Sequence, residues 1–379
     1  MDNAIIYSIG TAVPPGSFSQ KQAAIIARNW SATDEKVLSR LYAQSGIDKR
    51  HSVWASNQES SDCLVEGTTN QYGDNNCDTF RKFTSSTDFG PSLSTRMKIF
   101  EREGVRLAKR ACLQAIAESP FREDQITDLI AVSCTGFSAP GISHILLSDL
   151  GLSPFTSRLD VGFMGCHAAI NALRTANSII RNDSDRLVLV VCTELCSLHC
   201  KYHPNGEQIV ANSLFSDGAA ALLIGSDTYK SKHSGLFELD QFNSMLLPDS
   251  KELMSWKIGD NSFEMGLSNT LPALIEANLL FFLENRLAKE PYGLKDIAHF
   301  AIHPGGKKIL QAAENALKLS PDALHVSRFI LSEYGNMSSA TILFILKEMK
   351  QLNPNLKEPV LALAFGPGIC IESAVLIGC

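Results

Sequence analysis

Short apolar runs alternate along this chain with longer segments in which apolar residues recur every three or four positions. The short runs predict buried strands at 4–9, 128–134, 187–191, 298–303 and 360–364. The periodic segments predict helices at 97–118, 167–180, 271–287 and 339–349. Strands that alternate with helices in this way are typical of an α/β protein.

Two pairs of segments resemble each other across the chain. Residues 128–134 and 298–303 are both short apolar strands that end in a polar turn. Residues 215–225 and 365–378 each carry a phenylalanine and a glycine near their start, and each continues as an apolar strand that ends in Ile-Gly. A repeat of this kind indicates that the fold is built from two related units.

The repeat predicts an N-terminal half at 1–230 and a C-terminal half at 231–379, each made of alternating strands and helices. A chain of 379 residues is too long for one typical domain and suits two fused units that share a core. Within the first half, 55–90 is rich in Ser, Thr, Asn, Asp and Gly and lacks clear periodicity. This composition predicts a long polar surface loop or lid.

The composition excludes several classes of protein. The chain is 45% hydrophobic and 20% charged, as in soluble globular proteins, and its net charge of −6 argues against a general nucleic-acid binder. No uninterrupted apolar stretch is long enough for membrane insertion, and the first seven residues lack the basic region of a signal peptide. Ten cysteines without such a signal predict reduced thiols and a cytoplasmic location.

One cysteine, Cys166, stands where an apolar strand runs into the predicted helix 167–180. A thiol at the first turn of a helix is close to free backbone N–H groups and to the positive end of the helix dipole. Both lower the pKa of the thiol and favour the nucleophilic thiolate. Taken alone, Cys166 is better explained as a buried and inert cysteine, because free cysteine is among the most buried residue types.

A histidine and an asparagine follow Cys166 far downstream, at His303 and Asn336. Taken alone, His303 fits a hydrogen-bonded core histidine, and Asn336 fits a turn residue after Gly335. Cysteine, histidine and asparagine in that order are the components of a covalent acyl-transfer site. The three together therefore predict nucleophilic catalysis.

A second group of cysteines recurs every four residues at Cys192, Cys196 and Cys200, with His199 and His203 nearby. Zinc and iron–sulfur sites use such ligands, but this spacing matches neither the common zinc pairs nor the ferredoxin pattern. We therefore expect ordinary packing or the lining of a pocket here, and no metal site.

Five short motifs follow one another in an order that identifies a family. They are Gly165-Cys166, Phe215 before Asp217-Gly218-Ala219-Ala220, His303-Pro304-Gly305-Gly306, Gly335-Asn336-Met337-Ser338-Ser339-Ala340, and Phe365-Gly366-Pro367-Gly368. With them the chain resembles the type III polyketide synthases, the chalcone and stilbene synthase family of the thiolase superfamily. The residues around Cys166 are closer to bacterial members. The resemblance implies a thiolase-like αβαβα layered fold made of two related halves, and a homodimer.

The resemblance also implies a reaction and a role for each motif. Cys166 would accept an acyl group from a starter acyl-CoA, and His303 would form an ion pair with its thiolate. His303 and Asn336 would then donate hydrogen bonds to malonyl-CoA as its enolate forms on decarboxylation, each worth about 3–4 kcal/mol. Phe215 would be the gatekeeper between a coenzyme A tunnel and the cavity.

This reaction is an iterative decarboxylative Claisen condensation, followed by cyclisation to a pyrone, resorcinol or phloroglucinol-type product. It requires no resident cofactor, because the coenzyme A thioesters are substrates. The loop Phe365–Gly368 matches the family's cyclisation loop. The starter, the number of extensions and the mode of cyclisation stay open.

Further positions are assigned by the same resemblance. Those implied to line the cavity are Cys134, Thr135, Ala139, His199, Met254, Trp256, Met265 and Ser338. In many relatives the position of Ala139 carries a methionine that reaches into the partner's cavity. Trp256 occupies a position that is often glycine, so that its ring would fill a large share of the pocket. These departures predict that the enzyme is not a chalcone synthase.

Binding of coenzyme A rests on fewer residues. Arg40 matches a basic position near the coenzyme A phosphates, but Gln44 stands where a lysine is common. Lys308 follows the His-Pro-Gly-Gly turn near the expected tunnel entrance. It could meet a phosphate, and a solvated lysine is the simpler interpretation.

Other functions are possible for a Cys-His-Asn chain. A single-condensation enzyme like ketoacyl synthase III shares the three residues, but its asparagine segment lacks the Asn-Met-Ser-Ser wording. A papain-like cysteine hydrolase has them in the same order, but its nucleophile lies near the mature N-terminus in a tryptophan-containing signature. Hydroxymethylglutaryl-CoA synthase needs a catalytic glutamate, and no segment of this sequence indicates one. An inactive scaffold conflicts with the retained residues.

Overall fold

The computed structural model describes residues 3–55, 82–231, 233–287 and 292–379. Its strands are Ala4–Ala12 (β1), Ser17–Ser19 (β2), Lys49–His51 (β3), Asp128–Ser133 (β4), Ser157–Gly162 (β5), Val188–Leu195 (β6), Asp217–Ser226 (β7), Phe237–Leu246 (β8), Met254–Ile258 (β9), Phe263–Leu267 (β10), His299–Ile302 (β11), Pro359–Gly366 (β12) and Cys370–Gly378 (β13). Its α-helices are Gln20–Ala27 (α1), Glu35–Ala43 (α2), Leu93–Ile99 (α3), Val105–Ala117 (α4), Ile142–Asp149 (α5), Ala168–Asn182 (α6), Gly206–Leu214 (α7), Leu271–Arg286 (α8), Lys307–Leu317 (α9), His325–Tyr334 (α10) and Thr341–Leu352 (α11).

Nine of these strands form one mixed sheet in the order β11-β12-β13-β8-β1-β7-β6-β4-β5. β1 pairs antiparallel with both β7 and β8, so it joins the strands of the two predicted halves. The repeated segments occupy matching places. β7 and β13 each lie one strand out from the β1–β8 junction, and β4 and β11 each lie three strands out.

Helices pack on the outer face of each half of the sheet, and two more lie in the layer between the two halves. One cluster of buried side chains joins α6 and α11 to strands of both halves. A second packs α4 on the outer face of the first half, and a third packs α8 and α9 on the outer face of the second. Successive residues of β1 alternate between two layers, since Ala4 and Ile6 face the central helices while Ile5 and Tyr7 face α4. The layers therefore follow the predicted αβαβα order.

The predicted strands and helices are present, with one interruption. The helix expected at 97–118 consists of α3, a π-helical turn at Phe100–Gly104, and α4. Most of the polar loop expected at 55–90 falls outside the described residues, and 82–90 contains turns and irregular backbone. Within the described ranges, no helix combines the length and the apolar character needed to cross a membrane.

Candidate active site

Cys166 lies in a short 3₁₀ turn, Gly165–His167, between β5 and α6. Gly165 has a φ of +76°, and a Cβ there would stand 2.3 Å from Cδ of Pro367. Only glycine fits this position without strain, because it tolerates a positive φ and leaves room for the proline. The turn that carries the thiol is thereby packed closely against the Phe365–Gly368 loop.

The thiol of Cys166 is buried, with 3% of the residue exposed. Burial raises its pKa to about 12, while hydrogen bonds with the side chains of Ser338 and Asn336 act in the opposite direction. The position of Cys166 at the start of a helix predicts the opposite shift. The loss of water on burial outweighs the helix effect, so the site favours the neutral thiol.

His303 directly follows β11, and its N–H donates to the carbonyl of Leu363 in β12 at 2.8 Å. The residue is 1% exposed, and in the described part of the chain neither ring nitrogen has a hydrogen-bond partner. Burial and the neighbouring charge of His167 lower the pKa of His303 to about 3. Its imidazole is therefore neutral, and both ring nitrogens are available to a substrate. A preformed ion pair with Cys166, as expected from the sequence, is not favoured.

Asn336 follows Gly335, whose φ of +70° turns the chain after α10. Its side-chain Oδ1 accepts the N–H of Ser338 at 2.8 Å, which leaves the amide NH₂ as the group that can donate to the Cys166 sulfur. The backbone of Asn336 also forms a parallel bridge with Phe215, at the end of α7. The structure thus brings the amide of Asn336 to the thiol and joins its backbone to that of Phe215.

A cavity of about 40 Å³ lies beside Cys166. Its walls include Cys166, Phe215, Ser338, Cys134, Thr135, His199, Met254, Trp256 and Met265, together with Gly165, Cys196, Cys200, Gln208, Ala211, Asn212 and Pro367. His303 and Asn336 are almost fully buried and are not part of this lining in the described chain. Seven of the eight side chains assigned to the cavity from the resemblance therefore line it.

The remaining assigned positions lie elsewhere. Ala139 is exposed in the loop before α5 and does not line this cavity of its own chain. Arg40 is exposed on α2, and Lys308 is exposed in the first turn of α9. Of the Phe365–Gly368 loop, Pro367 reaches the cavity, while the ring of Phe365 is buried in the outer core of the second half.

Two aromatic residues, His199 and Trp256, form part of the cavity wall. Trp256 donates its Nε1–H to the carbonyl of Cys134 at 2.7 Å. His199 lies 2.7 Å from the carbonyl of Thr135 through Nε2, and its Nδ1 accepts the N–H of Phe263 at 3.0 Å. Burial lowers the pKa of His199 to about 3, so its ring stays neutral and serves as a fixed wall. The polar atoms of both rings therefore form hydrogen bonds with backbone groups.

A buried carboxylate, Glu194, belongs to the site and was not found from the sequence. It is fully buried, and it accepts hydrogen bonds from the Cys134 N–H at 3.0 Å, the Thr135 hydroxyl at 2.8 Å and the Ser339 hydroxyl at 2.5 Å. Burial raises its pKa. The available signal was an acidic residue at the end of an apolar strand. Burial of a carboxylate is costly unless several hydrogen-bond donors surround it.

The cysteine group at 192–200 is divided between the core and the cavity. Cys192 is buried in β6, while Cys196 and Cys200 line the cavity together with His199. Among the described residues, no group of three or more His, Cys, Asp or Glu side chains is arranged to hold a metal ion.

The sequence matches two family models. Residues 81–228 match the chalcone and stilbene synthases, N-terminal domain, and 238–379 match the C-terminal domain of the same family. The alpha-pyrone synthesis polyketide synthase-like Pks18 of Mycobacterium tuberculosis is 35% identical over 284 residues, which cover 74% of this chain and 72% of that protein. The probable polyketide synthase 1 of Dictyostelium discoideum is 31% identical over 99% of this chain, which spans only 11% of that relative's length.

Solved structures of this family share the fold over the whole chain. PKS-I from the brown alga Ectocarpus siliculosus superimposes with a TM-score of 0.90 at 26% identity, covering 100% of this chain and 99% of that one. The C-terminal type III polyketide synthase domain of Steely1, a type I/III hybrid from Dictyostelium, gives a TM-score of 0.84 at 27% identity, with 99% of each chain covered. The chain has the thiolase-like fold of these enzymes, and it belongs to the chalcone and stilbene synthase family of type III polyketide synthases.

Proposed function

We propose that this enzyme condenses malonyl-CoA repeatedly onto an acyl-CoA starter that is held on Cys166. The observation that supports this most is that the side chain of Asn336 forms a hydrogen bond with the buried Cys166 thiol. His303, which is also buried, has two ring nitrogens without partners in the described chain. Buried polar groups without partners are rare in proteins and are common where a substrate completes the site.

Loading of the starter would use His303 as a base. The imidazole is neutral, and a ring nitrogen would accept the Cys166 proton as the sulfur attacks the thioester carbonyl. The carbon–sulfur bond to coenzyme A breaks, and the leaving thiolate takes this proton from His303. The acyl group is then bonded to Cys166.

Extension would use the same groups as hydrogen-bond donors. The thioester oxygen of malonyl-CoA would accept from the Asn336 NH₂ and from a ring N–H of His303. The bond to the carboxylate breaks, carbon dioxide leaves, and its electron pair forms the enolate. The enolate carbon then attacks the Cys166 thioester and releases the thiolate. Such donors contribute about 3–4 kcal/mol each to the transition state. Phe215, in the cavity wall, would exclude water from the enolate.

The aromatic side chains His199 and Trp256 in the cavity wall support a short acyl starter and few extensions. We propose closure of the product to a pyrone, which agrees with the name of the mycobacterial relative. Arg40 and Lys308, both exposed, are proposed to meet the phosphates of coenzyme A at the entrance. The eight cysteines in the described residues are free thiols, which supports a cytoplasmic location.

A homodimer is proposed from the free edge of the main sheet. β5 is the last strand of the sheet, and among the described residues it pairs with β4 alone. Phe137, Phe155 and Leu159 expose 65%, 93% and 43% of their surfaces on or near this strand. Exposed edges with apolar side chains favour pairing with another chain. Light scattering should give twice the chain mass, and Leu159→Lys should give the monomer; a monomeric wild type would exclude the dimer.

Trapping of the acyl-enzyme would test the proposed function directly. The protein is incubated with acetyl-CoA, hexanoyl-CoA or benzoyl-CoA and is then digested. The mass of each cysteine-containing peptide is measured by mass spectrometry. We expect the acyl mass on Cys166, and triketide products when malonyl-CoA is added. Cys200→Ala, which removes another cavity thiol, should retain both results. Acylation of Cys166→Ala, or the absence of any acylation in the wild type, would contradict the proposal.

A further inference from the structure

Phe163 adopts a backbone conformation that is unusual for its residue type. Its φ is +56°, in the left-handed region that bulky side chains rarely occupy. It lies three residues before Cys166, in the loop that leaves β5. Strained residues of this kind persist only where the surrounding structure holds them, and they are concentrated at functional sites.

The surroundings of Phe163 are a series of aromatic rings that leads from the surface to the cavity. Ring centroids lie 6.2 Å apart for Phe137 and Phe163, and 5.4 Å apart for Phe163 and Phe263. Phe263 stacks on His199 at 4.2 Å, with 10° between the planes. His199 then meets Trp256 edge to face at 5.4 Å. These five residues are called the aromatic column below.

The inner end of the aromatic column is fixed by hydrogen bonds to one short segment. Trp256 binds the carbonyl of Cys134, and His199 binds that of Thr135. Phe137, the outer end of the aromatic column, lies two residues further along the same segment. Both ends of the aromatic column therefore contact the segment 134–137. Phe163 is the member of the aromatic column that lies next to the turn that carries Cys166.

We propose that Phe163 is a specificity-determining positioning residue. Its ring holds Phe263, and through it the wall formed by His199 and Trp256, so that the cavity beside Cys166 stays small. The strained backbone aims the ring at Phe263 rather than at solvent. This inference rests on the proposed function for its effect on starters, but the position of the wall can be measured without any substrate.

The key variant is Phe163→Gly, because glycine tolerates the positive φ and only the ring is lost. Phe163→Tyr keeps the ring and is expected to restore wild-type behaviour. Phe137→Ala removes the outer ring, which is 65% exposed in the single chain and lies on the proposed dimer edge. With light scattering to confirm that its mass equals that of the wild type, it tests the aromatic column even if the glycine variant does not fold. Phe281→Ala is the matched control, since this ring is 62% exposed on α8, outside the aromatic column.

The first readout is the fluorescence of Trp256, obtained as the difference between each variant and the same variant carrying Trp256→Phe. We expect a red shift in Phe163→Gly, a smaller one in Phe137→Ala, and none in Phe163→Tyr or Phe281→Ala. The second readout is kcat and KM for acetyl-CoA through octanoyl-CoA. The preference for octanoyl over acetyl should rise about tenfold in Phe163→Gly, mainly through KM.

Unchanged Trp256 emission and unchanged starter preference in a folded Phe163→Gly would overturn the proposal, as would equal changes in Phe281→Ala. Should the wild type condense no starter at all, the proposed function fails, and the fluorescence comparison still decides whether Phe163 positions the wall.

Discussion

Phe215 and Asn336 are held together through their backbones. The N–H of Ser216 donates to the Asn336 carbonyl at 2.8 Å, and the N–H of Asn336 donates to the Leu214 carbonyl at 3.0 Å. These bonds form a single parallel bridge outside the main sheet. The proposed gatekeeper and the proposed amide donor therefore cannot move independently, and a change that displaces one should displace the other.

The buried side chain of Arg50 stabilises this bridge, and its removal should lower both the free energy of unfolding and kcat. Its Nη1 donates to the carbonyls of Asn212 and Phe215 at 2.7 and 2.9 Å in a buried environment. Arg50→Met keeps much of the side-chain volume but leaves both carbonyls without this donor, which should cost about 2–4 kcal/mol in the free energy of unfolding. Urea unfolding measures the loss, and kcat should fall with it.

The control for this variant is Arg28→Met, because Arg28 forms a largely exposed ion pair with Glu35. Exposed pairs contribute little to stability, so that variant should unfold like the wild type. Equal stability of the Arg50 and Arg28 variants would show that the buried hydrogen bonds do not stabilise the bridge.

The reactivity of Cys166 should increase steeply with pH. Burial raises the pKa of the thiol to about 12, so the thiolate fraction grows about tenfold for each pH unit below that value. Alkylation of the Cys166 peptide by iodoacetamide in the ligand-free enzyme should therefore rise throughout pH 6 to 9. A plateau over this range would instead indicate an ion pair with His303, and His303→Gln should then abolish it.

Much of this site follows from the sequence. The repeated apolar segments predicted two halves, and the corresponding strands hold matching places in the sheet. Four of the five motifs contribute residues to the cavity beside Cys166. They could be recognised because each meets a local requirement of the backbone or of packing. A positive φ at Gly335 and a close contact at Gly165 are examples of what such motifs satisfy.

Other features depend on what packs around a residue, and the sequence does not contain that information in local form. The pKa of Cys166 is set by the loss of water on all sides, which outweighs the helix start that the sequence does show. Glu194 collects three donors from two separate segments, 134–135 and the one that contains Ser339, so its burial could not be inferred from its neighbours in the chain. The same holds for Phe163, whose partners come from β10 and from the segment after β4.

Asp217 should make stability depend on pH between about 4 and 6. It is fully buried and accepts the N–H of Val53 at 2.9 Å and the N–H and hydroxyl of Ser197 at 2.8 and 2.6 Å. Burial raises its pKa from 3.8 to about 6, so the folded state binds this proton more tightly than the unfolded chain does. The contribution is therefore present at pH 4 and is lost as the pH rises through 6.

The measurement is the free energy of unfolding of the wild type minus that of Asp217→Asn at each pH. This difference should increase by about 2 kcal/mol from pH 7 to pH 4, because other titrating groups cancel between the two proteins. A difference that stays constant with pH, or that decreases towards pH 4, would show that the hydrogen bonds from Val53 and Ser197 outweigh burial.

Trp256 should limit the size of the starter. Its ring lines the cavity beside Cys166, and its Nε1–H is bound to the Cys134 carbonyl at 2.7 Å. Trp256→Ala removes the ring and should open space for longer acyl chains, at a cost of about 2 kcal/mol in stability because the residue is only partly buried. Trp256→Phe loses the hydrogen bond but keeps an aromatic wall, and should therefore retain a preference for short starters. Product masses from a series of acyl-CoA starters distinguish the two variants. If both gave the wild-type distribution while folded and acylated, the size of the cavity at Trp256 would not control starter choice.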